Sequence, residues 1–340
     1  MGSSRSSILC FLMLCASFLV PTSCHSYSHG ALFIFGDSFY DAGNNIYLNT
    51  SNTSLAKLNI FPYGETYFKH PTGRVSDAEF AKLPLIPPYL QPGNHQFTNG
   101  VNFASGGAGA LVENNQGPIM GLKTQLRNFK NMEKQLRKKL GASEIKTLLS
   151  TAVYMFSIGS NDYLVPFITN STLLQSYSKK EYVKMVIGNI TTVIQEIYKI
   201  GGRKFGLSKL IPLGCFPFSR AQKLSSTALL EALKELKKSQ LKGYTYSIFD
   251  AYTAATAIFN NPSKYGFEEV KMACCGSGPL RGSLLACGLK VYQLCDNVSQ
   301  YFFFDELHPT EKANYQFAKL MWDGSPKIVK PYNLKTLFKK

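Results

Sequence analysis

The sequence predicts an α/β fold, with a central, mostly parallel sheet of about five strands between two layers of helices. Three observations predict it. Short apolar runs alternate with helical patterns along the chain, the order produced when parallel strands are joined by helical crossovers. Polar, glycine-bearing turns close several of those runs, at the carboxyl ends of strands, where open α/β sheets place their sites. Neither an internal repeat nor a low-complexity linker interrupts the 340 residues, a length that suits one large domain or two small ones.

The elements follow in order. Ala31 to Phe35 is a short buried strand that breaks at Gly36 into the turn Gly36-Asp37-Ser38-Phe39. A polar segment rich in Pro and Gly runs from Asn44 to Gly93. Val101 to Ala104 is a second strand, ending in Ser105-Gly106-Gly107-Ala108-Gly109. Leu122, Leu126, Phe129, Met132, Leu136 and Leu140 recur every three or four residues and predict an amphipathic helix, which Gly141 ends. Ala152 to Ile158 is a strand stopping at Gly159. Tyr182 to Tyr198 is a helix closed by Gly201-Gly202, and Lys204 to Leu213 a strand. Ala228 to Leu241 reads as a basic helix, Tyr246 to Phe249 as a strand and Glu311 to Trp322 as the last helix.

Lys and Arg outnumber Asp and Glu by 37 to 21, a formal charge of +16. The basic residues are spread along helical stretches such as Lys123 to Lys139 and Lys234 to Lys242, as on solvated helix faces. Weak attraction to an anionic surface or wall polymer remains open; no nucleic-acid motif is present. Arg5 followed by the apolar run Ile8 to Val20 reads as a secretory signal, too short to span a bilayer, with cleavage between Ser23 and Ser28. Residues 1–26 are therefore assigned to the signal and 27–340 to a single secreted, extracellular domain. Cys215, Cys274, Cys275, Cys287 and Cys295 lie beyond it. Four fall within 22 positions, which suggests a disulfide-stapled surface loop. Cys274 and Cys275 are adjacent and should take different partners; the connectivity stays open, and an odd count leaves room for one free thiol. No Cys-x-x-Cys or paired-His spacing points to a metal, so no metal or organic cofactor is expected. Sequons for N-glycosylation stand at Asn49, Asn52, Asn170, Asn189 and Asn297.

Ser38 lies two residues beyond the end of a strand, exposed and near backbone N–H groups, where an acyl-transfer nucleophile belongs. Near the carboxyl terminus, Phe303-Phe304-Asp305-Glu306-Leu307-His308-Pro309 sets a carboxylate three residues before an imidazole. One turn of chain can bring these together, so that Asp305 fixes the tautomer of His308 and His308 serves Ser38 as general base. The order Ser, Asp, His, with no Gly-x-Ser-x-Gly elbow, argues against an α/β-hydrolase. Asp37 and Asp41 read as caps of the nucleophile turn, and Asp162 as structural.

Four blocks in this order, Gly36-Asp37-Ser38-Phe39 with Asp41-x-Gly43-Asn44-Asn45, Asn102-Phe103-Ala104-Ser105-Gly106-Gly107, Gly159-Ser160-Asn161-Asp162 and Asp305-x-x-His308-Pro309, resemble those of the plant GDSL esterase/lipases in the SGNH hydrolase superfamily. The resemblance runs from about Ala31 to Phe338; Phe39 stands where Leu is usual. It implies a three-layer α/β/α, flavodoxin-like SGNH fold. It also implies a secreted serine esterase or lipase acting on lipid or other acyl esters through an acyl-enzyme. Ser38, Asp305 and His308 would be catalytic. Ser38 N–H, the Asn161 side-chain amide and a backbone N–H of Gly106, in preference to Gly107, would form the oxyanion hole. Ala273-Cys274-Cys275-Gly276 and Cys287-Gly288 also match, as a disulfide-held lid or rim. Two segments are shorter than the family pattern: only Ala78 to Lys82 separate Asp77 from Leu83, and Thr227 leads almost directly into the basic helix. An acyltransferase using the same triad, or a catalytically impaired homologue, are the alternatives.

Overall fold

A computed structural model describes residues 30–48, 59–65, 69, 86–93, 96–111, 119–169, 171–172, 176–222, 243–289 and 291–340. The signal segment, the basic helix, both shortened segments and the sequons at Asn49, Asn52 and Asn170 lie outside the described residues.

Five strands fall where the sequence reading puts them: β1 (Leu32–Gly36), β2 (Gly100–Asn102), β3 (Val153–Ser157), β4 (Lys204–Ser208) and β5 (Thr245–Phe249); β4 stops at Ser208 rather than running on to Leu213, which opens a short 3-10 turn. They form one parallel sheet in the order β5-β4-β3-β1-β2. Three short pieces follow at the site end, β6 (Glu269–Ala273), β7 (Cys275–Gly276) and β8 (Gln293–Leu294), and then β9 (Tyr301–Phe303), which pairs with β6. The main sheet has a sixth strand, β10 (Val329–Pro331), antiparallel to β5 at the outer edge. Three residues carry no readable periodicity, and Pro331, which has no N–H to give, fits only such an edge.

Helices cover both faces. On one side lie α1 (Leu122–Leu140), α2 (Ala142–Thr151) and, beyond α3 (Ser160–Ile168), the long α4 (Lys179–Ile200). Their apolar stripes meet Phe33, Phe35, Tyr154, Phe156 and Phe205, alternate residues of the central strands, in the largest core. Five of these strand and helix aromatics, Phe33, Phe35, Phe129, Tyr154 and Phe156, are at most 2 % exposed, and each such side chain contributes roughly 1.5–3 kcal/mol by leaving water. The short α5 (Pro217–Ala221) and α6 (Ala251–Asn260) precede β6, while α7 (Glu311–Asp323) and α8 (Leu334–Lys339) close the chain. Leu337 of α8 packs with Leu32, Ile34, Val153 and Met155 on the opposite face. Phe317 of α7, with Ala254 and Ile258 of α6, packs with Phe249, Phe302 and Phe303. The result is the expected three-layer arrangement, with β1 next to the edge strand β2.

Candidate active site

β1 lies between β2 and β3, so the turns that leave these three strands emerge side by side. Each carries one of the sequence blocks. The turn after β1 holds Ser38, half-buried; the turn after β2 holds Gly106; the turn after β3 opens α3 with Asn161.

Hydrogen bonds lock the turns together. Gln125 of α1 grips Gly36 from both sides: its Oε1 accepts the Gly36 N–H at 2.9 Å and its Nε2 donates to the Gly36 carbonyl at 2.8 Å. Asp37 is fully buried; it accepts the Phe39 N–H at 3.1 Å and the Ser160 hydroxyl, tying the first turn to the third. Asp41 accepts the N–H groups of Gly43 and Asn44, each at 2.8 Å. Asn44 donates to the carbonyls of Asn102 and Ala104, and Asn45 to that of Gly106. Asp162 accepts from Ala110 and Leu111. These carboxylates cap and join loops, the structural work expected of them. Burial pushes Asp37 and Asp41 up to about 6, against the hydrogen bonds that favour their charged forms.

The fourth block arrives from β9. Pro309 bridges back to Phe303, and Thr310 caps α7 by accepting from the Ala313 N–H. Between them Asp305 accepts the backbone N–H of Leu307 at 2.9 Å and of His308 at 2.7 Å, curling the chain into one tight turn. That turn brings His308 Nδ1 to 2.8–2.9 Å from both carboxylate oxygens. The other ring nitrogen, Nε2, lies 2.8 Å from Ser38 Oγ. Hydroxyl, imidazole and carboxylate thus stand in line, within hydrogen-bond reach of one another. Burial alone would raise Asp305, but the charge and hydrogen bond of His308, with those of Leu307 and Tyr63, hold it below its ordinary value. Burial opposes the charge on His308; Asp305, Glu306 and Asp37 outweigh it and raise the imidazole above its ordinary value.

The oxyanion donors fall out differently. Asn161 Nδ2 gives one hydrogen to the Ala108 carbonyl at 3.0 Å, which orients the amide and leaves its second hydrogen to donate. The Gly106 N–H departs from expectation: it donates to Asp41 Oδ2 at 2.9 Å. A buried carboxylate with three other amides on it is a strong acceptor, and a sequence block cannot show that it competes for the same N–H.

The cysteines pair as Cys274–Cys295 and Cys275–Cys287, and Cys215 is free. Cys274, Cys275 and Cys287 are themselves buried, while Cys295 is half-buried. The backbone N–H groups of Cys274 and Cys275 donate to Phe303 and Phe304, so the bridges brace the strand that delivers Asp305. Sequence reasoning also missed Tyr63, whose hydroxyl donates to Asp305 Oδ2 at 2.7 Å, and Gln125, a polar residue on an apolar helix face. Among the described residues no cluster of His, Cys, Asp or Glu could hold a metal ion, and no helix is long and apolar enough to cross a membrane. Of the sequons, Asn297 is exposed, whereas Asn189 is half-buried on α4 with its amide donated to the Met185 carbonyl.

A serine in line with an imidazole and a carboxylate, at the carboxyl ends of a parallel sheet, is the layout of a serine acyl hydrolase. Residues 32–321 match the family model for GDSL-like lipase/acylhydrolase. The chain is 50 % identical to GDSL esterase/lipase 1 of Arabidopsis thaliana, across 92 % of this chain and 90 % of that one. It is 46 % identical to a GDSL lipase of Tanacetum cinerariifolium, across 96 % and 92 %, and 44 % identical to GDSL esterase/lipase 4 of Arabidopsis thaliana over the whole of both. The chain belongs to the GDSL-like lipase/acylhydrolase family, and with it to the ester hydrolases.

Proposed function

We propose that this protein is a secreted serine esterase or lipase that works through an acyl-enzyme on Ser38. His308 Nε2 takes the Ser38 hydroxyl proton as Oγ bonds to the ester carbonyl carbon, and the carbonyl oxygen becomes an oxyanion. The Ser38 N–H and the Asn161 amide stabilise that oxyanion; Gly106 joins them only by exchanging Asp41 for substrate. The carbon–oxygen bond to the leaving alcohol then breaks, and the alcohol carries off the proton held on His308. Water enters, gives a proton to His308 and its hydroxide to the acyl carbon; collapse returns the proton to Ser38 and releases the carboxylic acid. Asp305 holds the imidazole in the tautomer that presents Nε2 to Ser38 and stabilises the imidazolium. Secretion is supported by the apolar run Ile8 to Val20 and by two disulfides, which persist in oxidising compartments. In the apoplast a formal charge of +16 favours weak attraction to anionic wall polymers.

The observation that carries this reading is the 2.8 Å approach of His308 Nε2 to Ser38 Oγ while Nδ1 rests on Asp305. The test is hydrolysis of p-nitrophenyl butyrate by the purified protein beside Ser38→Ala. A loss of roughly a thousandfold or more in kcat is expected for the variant. Equal rates for the two proteins overturn the reading.

A further inference from the structure

Asp305 is buried, 1 % exposed, and almost all of its partners come from its own turn. Leu307 N–H and His308 N–H both donate to Oδ1, and His308 Nδ1 reaches both oxygens. One further donor comes from far away in the chain. The Tyr63 hydroxyl meets Oδ2 at 2.7 Å, across 242 residues of sequence. We propose that Tyr63 is a positioning residue for catalysis: its hydroxyl fixes the Asp305 carboxylate so that the remaining lone pairs face His308. The proposal rests on the triad reading above.

The surroundings are built to hold that hydroxyl in place. Tyr63 is 7 % exposed and its ring stands edge-on to Phe304, centroids 5.1 Å apart. It shares a small core with Cys275 and Cys287, so a disulfide backs the ring. Its turn is pressed onto Gly288, where an added Cβ would come within 2.7 Å of the Phe61 carbonyl oxygen; the glycine is what allows the approach. Burial, then the charges of Asp305 and Glu306, push the phenol well above its ordinary value, so it stays protonated and can only donate to Asp305. Without it Oδ2, on a carboxylate 1 % exposed, keeps His308 alone as partner. The carboxylate can then turn about its last torsion, and its charge is left less dispersed opposite the imidazole.

Two consequences separate positioning from packing. The carboxylates facing His308 are Asp305, Glu306 and Asp37, and all three favour its charged form. Removing the hydrogen bond that tempers Asp305 strengthens this, so the acid limb of the rate profile moves to higher pH. The rate falls in kcat, because Tyr63 touches Asp305 and not the substrate.

The experiment uses the full secreted protein, with active sites counted by a fluorophosphonate. Tyr63→Phe keeps the ring and is expected to lose roughly tenfold to a hundredfold in kcat per active site, with KM within about twofold. Its acid limb should rise by about half a pH unit. 3-Fluorotyrosine at position 63 preserves shape while donating more strongly, and moves the limb downward; it remains informative if Tyr63→Phe does not fold. Phe304→Leu loosens the same packing, lowers the melting temperature and leaves the limb in place. Wild-type kcat and an unmoved limb in Tyr63→Phe, or an unmoved limb with the fluorinated residue, overturn the proposal. Ser38→Ala, assayed alongside, reports separately on the triad reading: activity surviving there sinks that reading whatever Tyr63 does.

Discussion

At the scale of single residues, the role proposed for Asn161 divides its two amide hydrogens between structure and chemistry. Its first N–H is committed to the Ala108 carbonyl, which holds the amide plane; the second is the one that can meet an oxyanion. Asn161→Ala removes both. Since an oxyanion donor acts on charge that exists only in the transition state, kcat should fall by roughly a hundredfold to a thousandfold while KM hardly moves. Steady-state kinetics on a short-chain ester measures the split, and a variant altered chiefly in KM would assign Asn161 to substrate binding instead. Gly106 is the contrasting case. Its amide is occupied by Asp41, a carboxylate 65 residues away in sequence, so of the two donors proposed from these separate blocks one is ready and one is engaged.

Among the elements, α1 and β1 together determine where Ser38 stands. Gln125 is fully buried on the helix face that otherwise packs against Phe33 and Phe35, and its amide brackets Gly36 and also donates to the Met120 carbonyl at 2.7 Å. Gln125→Leu keeps the size and the apolar stripe yet leaves the Gly36 N–H and the Met120 carbonyl without this partner. A loss of about 2–4 kcal/mol is expected in denaturant unfolding, together with reduced kcat, because the strand end that carries Ser38 loses its clamp. Unchanged stability would mean that water reaches both groups. The helix itself was legible from sequence, to its ends; its inner face was not fully so. Periodicity selected Leu126 and Leu140, which are only partly buried, and passed over Gln125 and Glu133, which are buried. A polar residue on an apolar stripe is invisible to a pattern of hydrophobicity, and its reason lies 89 positions away. The parallel strands and the Ser38, Asn161 and Asp305-x-x-His308 turns were readable because each is a local signal. Tyr63, the cysteine pairing and the edge strand β10 were not, since each depends on a partner that only the fold supplies.

For the molecule as a whole, the site's acidity sets stability and activity against each other. Glu306 is 4 % exposed beside Asp305; Oε1 accepts the Leu285 N–H at 2.8 Å, and Oε2 is buried with no partner among the described residues. Burial, reinforced by the charge of Asp305, raises it to about 7, and burial raises Asp37 and Asp41 to about 6. A group raised on folding contributes its full stability below its unfolded pKa and loses it as pH climbs through the folded one. For Glu306 that window runs from the unfolded value of 4.5 to about 7. Asp305, held low, has the opposite sign: its contribution is present above its unfolded value and is lost as pH falls. The proposed mechanism needs His308 neutral, and its raised pKa puts that condition toward the alkaline side, where the protonated acids must give up their protons. Glu306→Gln isolates the conflict, because a neutral amide can keep the Leu285 contact and carries no charge at any pH. Thermal melts should coincide for variant and wild type near pH 4.5 and diverge by pH 8, the variant being more stable there by on the order of 2–3 kcal/mol. Melting curves displaced by the same amount at both pH values would show that Glu306 acts through packing rather than through its proton.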